Sequence, residues 1–480
     1  MLDSTGLQTS KRSLIIQYLH PVYTAETIAS LFPDGTHILP DPSAPVRHVC
    51  IDSRKAAWQP NAIFLALQGA RADGHRYIQD AWNQGVKNFL VQENIDLSHL
   101  PEANYIRVHS VLEAFHTLAA HHRNNYSGKV IAIIGSNGKT WVKEWLYMLM
   151  YRDMSVYRSP GSYNSQVGVP LSVWNIPLET SYAIIEAGIS SPGEMTKLQK
   201  IIRPDLVVFT HFGDAHDEGF GGDMHLKLSE KLIMCREATS IVFPHDQSLV
   251  HDTIRALFPD KFQFTFSTHG AGLVNAIAQK QGDASQVEVK IEEKHYAYHI
   301  PFTGVVPVSN SLVCLTTFVA LGIPLESRLK AFEDLQPIDM RLKAEDGIQG
   351  CVLINDSYSL DLDSLQYALE SLDIAGQTQQ KTLVLSDHAY GRPGIYTDLA
   401  RMISGAGVDK LICIGKEVSV LTQMLPPEIK TFAYQDVDEM FRMGAIADFN
   451  NEVVLLKGAR RFGFERIARR LRLRSHSAVL

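Results

Sequence analysis

At 480 residues the chain is long enough for about three domains of roughly 150 residues each. Its 45% apolar and 20% charged content is that of a globular protein, and a net charge of −7 excludes a general nucleic-acid or membrane-surface binder. Cys50, Cys235, Cys314, Cys351 and Cys413 are scattered and form no C-x-x-C pair, which excludes a disulfide framework and predicts a reducing compartment. The first residues carry no secretory pattern and no run approaches the ~20 apolar residues of a membrane helix, so a cytoplasmic protein is expected.

Up to about residue 128, the runs VRHVCIDSRKA, AIFLALQG and VKNFLVQEN read as strands separated by turns. His116, His121 and His122 then fall on a predicted surface helix, with no metal role expected. The polar stretch HRNNYSGK marks a boundary. Residues 129–340 contain KVIAIIG, YAIIEAG, DLVVFTHFG and SIVFPHD; residues 341–480 contain CVLINDS, KTLVLSD, KLICIG and EVVLLKG. Short apolar strands alternating with helical patterns predict an α/β fold with largely parallel sheets. Gly135, Glu186, His211, Asp356, Asp387 and Lys457 fall at or just beyond the carboxyl ends of these strands, where open α/β sheets bind their ligands. The Arg-rich end, ARRFGFERIARRLRLRSHSAVL, reads as a solvated basic helix face.

The stretch VIAIIGSNGKTWVKEWLYMLM carries the strongest chemistry. A strand runs into GSNGKT, and Trp141, Val142, Trp145, Leu146 and Leu149 follow at helical spacing. Backbone N–H groups of such a loop and of the helix start point at phosphate oxygens. Lys139 supplies charge near the outer phosphates and Thr140 a hydroxyl for Mg²⁺. The alternative is a tight strand–helix turn with an exposed lysine. Glu186 closes an apolar strand. On that stretch alone, a metal-bound carboxylate and a partly exposed glutamate are equally compatible. VVFTHFGDAHDEGF gathers His211, Asp214, His216, Asp217 and Glu218 in one strand-end loop, and plain chemistry makes Lys227 and Lys231 of the next helical run solvated lysines.

These residues together resemble the Mur ligase family, the ATP-dependent amide-bond ligases of peptidoglycan synthesis, whose short phosphate loop has the form G-[ST]-x-G-K-[ST]. The likeness runs over nearly the whole chain, with many motifs in order. It implies a three-domain architecture: a UDP-substrate-binding domain (1–128), a central ATP-binding catalytic domain with a P-loop-type, mostly parallel sheet (129–340), and a Rossmann-like C-terminal domain (341–480) that closes over ATP and binds the incoming dipeptide. IDSR and LQGARADGHRYI resemble uridine-nucleotide elements, implying contacts from Ser53, Arg54, Asp73, Gly74 and His75. SYNSQVGVP resembles the loop before the metal glutamate, with Asn164 and Gln166 on the substrate side. By the same resemblance Gly135, Ser136, Asn137, Gly138, Lys139 and Thr140 hold the ATP phosphates, Asn310 lies on the adenine side, Arg341 contacts phosphate and Asp356 faces the ribose. Thr140, Glu186, His216 and Lys231, the last as a CO₂-derived carbamate, would hold Mg²⁺. Lys139, Glu186, His216, Lys231 and Arg341 would carry catalysis.

Within the family, INDSYSLDLDSLQYAL resembles the branch that joins D-alanyl-D-alanine to UDP-N-acetylmuramoyl-tripeptide. SPGSYNSQVGVPLSVW, EAGISSPGEM, GDAHDEGF and LLKGARRFGFERI resemble the form fused to alanine racemase, and the end at HSAVL is read as the point where that domain would begin. Three residues depart from the pattern: Pro307 replaces a histidine, Ser359 an asparagine and Asn355 an aspartate. His388 and Arg392 follow a strand end where the dipeptide would approach. Rival readings are a folylpolyglutamate-synthetase-like ligase, which lacks the uridine elements, a sister ligase that adds a single amino acid, and a nucleotide-binding scaffold for the racemase.

Overall fold

Val130–Ile134 are buried throughout, the near-continuous apolar signature of a parallel strand covered on both faces. This pattern recurs along a computed structural model that describes residues 23–69, 72–92, 95, 98–214, 217–339, 343–358, 360–388 and 394–473. Contacts group the chain into two units, the residues up to Gly128 with Val173–Ser181, and Lys129–Ser172 with Tyr182 onward.

In the first unit, β1 (His48–Cys50), β2 (Ala62–Leu65), β3 (Asn88–Gln92) and β4 (Asn104–Val108) form a parallel sheet in that order. Helix α1 (Val111–Asn124) buries Val111, Phe115, Leu118 and His122. The expected surface position of His122 is therefore corrected. It is 1% exposed, its Nδ1 lies 3.0 Å from the Tyr23 hydroxyl, and its Nε2 lies 2.7 Å from the Ile176 carbonyl. Two polar partners make a buried imidazole tolerable. Both Ile176 and Trp174, whose ring centroid is 5.5 Å from that of His122, come from the returning segment Val173–Ser181.

In the second unit a nine-stranded sheet comprises β5 (Lys129–Ile134), β6 (Val156–Arg158), β7 (Tyr182–Glu186), β8 (Leu206–Phe209), β9 (Ser240–Pro244), β10 (Phe262–Ser267), β11 (Val274–Gln281), β12 (Ala284–Ile291) and β13 (Lys294–Ile300). Their order is β13-β12-β11-β10-β9-β8-β5-β7-β6, parallel except for the last two pairings of the chain, β11 with β12 and β12 with β13. Helices α2 (Lys139–Met150), α3 (Met224–Leu232) and α4 (Val305–Leu321) belong to this part. A six-stranded sheet follows, from β14 (Lys343–Asp346), β15 (Val352–Asp356), β16 (Gln380–Ser386), β17 (Lys410–Ile414), β18 (Lys430–Tyr434) and β19 (Glu452–Lys457), in the order β14-β15-β19-β16-β17-β18. Only β14 is antiparallel. Helix α5 (Leu362–Ala375) starts from a capping box in which Asp361 accepts from the Ser364 N–H at 2.9 Å.

At the amino ends of these strands, Glu452 is 1% exposed and accepts from Lys410 Nζ at 2.8 Å. Lys410→Met leaves that carboxylate buried without its cation, a loss of about 3 kcal/mol. Calorimetry should show a lower unfolding temperature, and an unchanged one would refute the pairing's role.

All five cysteines are buried. Burial pushes the Cys235 thiol up to about 12, so it carries no thiolate at neutral pH.

Candidate active site

Strand β5 delivers the chain to Gly135, and α2 starts three residues after Ser136. Gly135 has φ +135° and Gly138 φ +84°, both in the region that favours glycine. Space is as restrictive as the backbone: a Cβ at Gly138 would lie 2.6 Å from Asn310 Oδ1, and one at Gly135 2.2 Å from Thr210 Oγ1. Gly138 is the N-cap of α2 and has no side chain to occupy the first-turn N–H groups, which stay available to an anion. Gly138→Ala strains φ and crowds Asn310, at a cost on the order of 1–3 kcal/mol. ADP affinity measured by calorimetry should fall by about tenfold or more; unaltered binding would show that the loop geometry is not required.

The loop's lysine is not an exposed one. Lys139 is 9% exposed, and its Nζ donates to the carbonyls of Gly135 at 3.0 Å and Ser136 at 2.7 Å. Thr140 Oγ1 donates to Glu186 Oε2 at 3.0 Å and lies 3.1 Å from Ser162 Oγ. Glu186, the last residue of β7, is 1% exposed and also accepts from Asn164 Nδ2 at 2.7 Å. The exposed-glutamate alternative thus falls. A buried carboxylate beside a hydroxyl is a hard-oxygen pair suited to Mg²⁺, so the donor chemistry fits the ion that the phosphate loop implies. Among the described residues no three His, Cys, Asp or Glu side chains converge on a metal position.

Sequence reasoning missed Lys143. It is fully buried, donates to the Gly161 carbonyl, and lies 3.1 Å from Glu144 Oε1 and 3.8 Å from Glu186 Oε2. The signal was its spacing, four residues after Lys139 and hence on the same helix face. Lys227 and Lys231 of α3 are buried as well, at 1% and 2% exposure, which corrects their reading as solvated lysines. Lys227 Nζ donates to Gly213 O at 2.5 Å and Lys231 Nζ to Gly135 O at 3.0 Å. Both ammonium groups replace water by backbone carbonyls. Lys231 and Lys139 line one cavity of about 350 Å³ with Asn164, Gln166 and Glu194. Gln166 Nε2 donates to the Glu194 carbonyl at 3.1 Å.

A second cavity, of about 230 Å³, is bounded by the phosphate loop, α4 and the C-terminal sheet. Asn137, Gly138, His211, Asn310, Asp356 and Tyr367 contribute to its wall. Asn310 Nδ2 is buried there and has no hydrogen-bond partner among the described residues, a donor set for an incoming acceptor. Ser136 Oγ donates to Gly213 O at 2.9 Å and Asn137 Nδ2 to Asp361 Oδ1 at 3.1 Å. Asp363 Oδ2 lies 3.6 Å from His211 Nε2, and the His211 imidazole beside it holds the Asp363 carboxyl below the usual range. The loop thereby meets the start of α5 through Asp361, and His211 meets it through Asp363; sequence reasoning singled out neither aspartate, and the capping pattern of Asp361 with Ser364 was the available signal.

His388 is 8% exposed at the end of the β16 segment. His216, Arg341, Ser359 and Arg392 lie outside the described residues. In the first unit, Ser53 is 7% exposed, whereas the Arg54 side chain is 86% exposed and bonds Asp52 at 2.8 Å. Asp73 Oδ1 meets His75 Nδ1 at 2.6 Å, and a Cβ at Gly74 would lie 2.7 Å from backbone atoms of Leu67.

A phosphate loop with a buried carboxylate at its threonine, beside a second, mostly parallel sheet, defines the class: a nucleotide-binding protein of α/β architecture. The family model described as the Mur ligase middle domain matches residues 133–318, and that of the Mur ligase family catalytic domain matches residues 45–123. The chain belongs to the Mur ligase family. It is 28% identical over 377 residues to UDP-N-acetylmuramoyl-tripeptide–D-alanyl-D-alanine ligase of Bacillus subtilis, covering 76% of this chain and 78% of that one. It is similar in structure to MurF from Acinetobacter baumannii, with a TM-score of 0.81, 23% identity, and coverage of 94% and 99% of the two chains. MurF ligase from Thermotoga maritima in complex with ADP superposes with a TM-score of 0.70 at 21% identity, covering 88% of this chain and 96% of that one. No helix among the described residues is long and apolar enough to cross a membrane.

Proposed function

We propose that this chain joins D-alanyl-D-alanine to UDP-N-acetylmuramoyl-tripeptide with hydrolysis of ATP, in peptidoglycan synthesis in the cytoplasm. The observation that carries the reading is a phosphate loop whose Thr140 bonds a buried Glu186, in a chain similar over three quarters of its length to a ligase of that name.

The tripeptide's terminal carboxylate attacks the γ-phosphorus of ATP, giving an acyl phosphate and ADP. The dipeptide amine then attacks the acyl carbon, and phosphate leaves. Two anions must meet in the first step, so neutralising charge is the main task. Lys139 turns from the Gly135 and Ser136 carbonyls to the transferring phosphate, and the first-turn N–H groups of α2 orient the chain of phosphates, the Ser136 N–H being held by the His211 carbonyl at 2.6 Å. Glu186 and Thr140 would hold Mg²⁺, which screens the phosphate charge when bound. His216 and Arg341 keep their proposed metal and phosphate roles on the resemblance alone. Asn310 offers its open Nδ2 on the adenine side, and Asp356 faces the ribose. Asn164 and Gln166 face the tripeptide, while Ser53, Arg54, Asp73, Gly74 and His75 serve the uridine end in the domain 1–128. Residues 129–340 supply catalysis, and residues 341–480 close over ATP and receive the dipeptide.

Carbamylation of Lys231 belongs to the same proposal. Its burial beside the phosphate loop is the support, because CO₂ would convert a buried cation into a second oxygen ligand. A ¹³C-carbamate resonance in ¹³CO₂-equilibrated protein, absent from Lys231→Ala, tests it. The fused racemase rests on motif resemblance alone.

The test of the whole reading is phosphate release from ATP and Mg²⁺ with UDP-N-acetylmuramoyl-tripeptide, with and without D-alanyl-D-alanine, the product being weighed. Release that needs both substrates, with the pentapeptide as product, establishes the reaction. Turnover with a single amino acid instead moves the chain to a sister ligase, and silence with every amine favours a scaffold.

A further inference from the structure

We infer that Lys457 is a positioning residue for nucleotide recognition, holding the Asp356 carboxylate in the orientation that reads the ribose hydroxyls. Lys457 ends β19, Asp356 ends β15, and the two are direct partners in the parallel register. Their side chains meet at 2.5 Å, with Lys457 fully buried and the Asp356 side chain 9% exposed. Asp356 lines the 230 Å³ cavity that the phosphate loop and Asn310 also line.

Nothing in the packing of the sheet calls for an ion pair at this end of the strands. Two buried charges must be stripped of water, and an apolar pair of similar size is as stable or more so. What an apolar pair lacks is a carboxylate facing the cavity. The Lys457 ammonium donates to Asp356 Oδ2 and fixes that edge of the carboxylate, leaving its other lone pairs to the cavity. An ionised carboxylate accepts from two hydroxyls, whereas a protonated one spends an oxygen as a donor. The strand end is itself held in place. The Ala459 N–H donates to Ser386 Oγ at 3.0 Å, and a Cβ at Gly458 would lie 2.8 Å from the Phe464 ring. Lys457 therefore approaches Asp356 from a fixed point.

This inference rests on the ribose-side reading of Asp356 proposed above, and the variants separate the two. The full chain is assayed with ATP and with 2′,3′-dideoxy-ATP, comparing kcat/KM. The unaltered chain should prefer ATP by about tenfold or more, as expected for hydroxyls bonded to a charged acceptor. In Lys457→Met the preference should fall to within about twofold, mainly through a raised KM for ATP. Asp356→Asn should lose the preference, and Lys457→Arg should restore part of it. If the methionine variant does not fold, Lys457→Gln gives the same ratio. A full ATP preference in the neutral variants, with its loss in Asp356→Asn, overturns the role of Lys457 alone. No preference in the unaltered chain and no effect of Asp356→Asn overturns the ribose reading and this inference with it.

Discussion

Lys139→Ala is expected to lower turnover by about 10³-fold, equivalent to roughly 4 kcal/mol of transition-state stabilisation. The side chain is 9% exposed at the start of α2, where its ammonium bonds two carbonyls of its own loop. A phosphoryl group in flight spreads charge over its outer oxygens, and a lysine held within that loop meets it by exchanging its two carbonyl partners for phosphate oxygens. Alanine removes the charge but none of the strand, glycines or first-turn N–H groups that shape the loop. ADP should still bind, with weakened affinity, and the unfolding temperature should move by only a few degrees. Phosphate release together with a melting curve separates the two effects. Normal turnover would remove Lys139 from the phosphoryl site.

Glu186→Gln should be comparably severe, with a loss of about 10³-fold in turnover. Glutamine keeps the size and one acceptor for the Thr140 hydroxyl, so the shape of the site survives. What goes is the negative charge that a hard divalent ion requires. Mn²⁺ titrated against the protein with bound ADP, and followed by its paramagnetic signal, should bind at least about tenfold more weakly. The variant should also lose some stability, because the fully buried Lys143 has one of its two carboxylate neighbours neutralised. Glu144 at 3.1 Å keeps that loss smaller than for a lone pair. Unchanged Mn²⁺ affinity would sink the metal assignment even if turnover fell.

Much of the site was legible because parallel sheets make function a matter of strand ends. Gly135 follows β5, and Glu186, Asp356 and Lys457 are the last residues of β7, β15 and β19. Each could be found by asking which polar residue closes an apolar run. The phosphate loop was legible for a further reason: its glycines, lysine and threonine are local, and their geometry is set within six residues. The turn carrying Asp73 and His75 shares this locality, since the pair meets two residues apart at 2.6 Å.

The lysines show where locality ends. Lys227 and Lys231 have nothing in their neighbouring residues to distinguish them from solvated helix lysines, and Lys143 only its spacing from Lys139, yet all three are buried. Their partners are the Gly161, Gly213 and Gly135 carbonyls, the last of these almost a hundred residues away from Lys231. His122 likewise becomes a core residue through Tyr23 and Ile176. The return of Val173–Ser181 to the first unit left no mark in composition, because it is defined by contacts alone.

By itself, then, the sequence determined the α/β class, the phosphate loop and the strand ends that carry polar groups, since propensity, periodicity and short turns act over a few residues. The tertiary structure alone decided which charges are buried and what each one faces: Thr140 against Glu186, Asn137 against Asp361, Lys457 against Asp356. Burial and pairing depend on which distant segments pack together, and the free energy of a charge is set by that surrounding rather than by its neighbours in the chain.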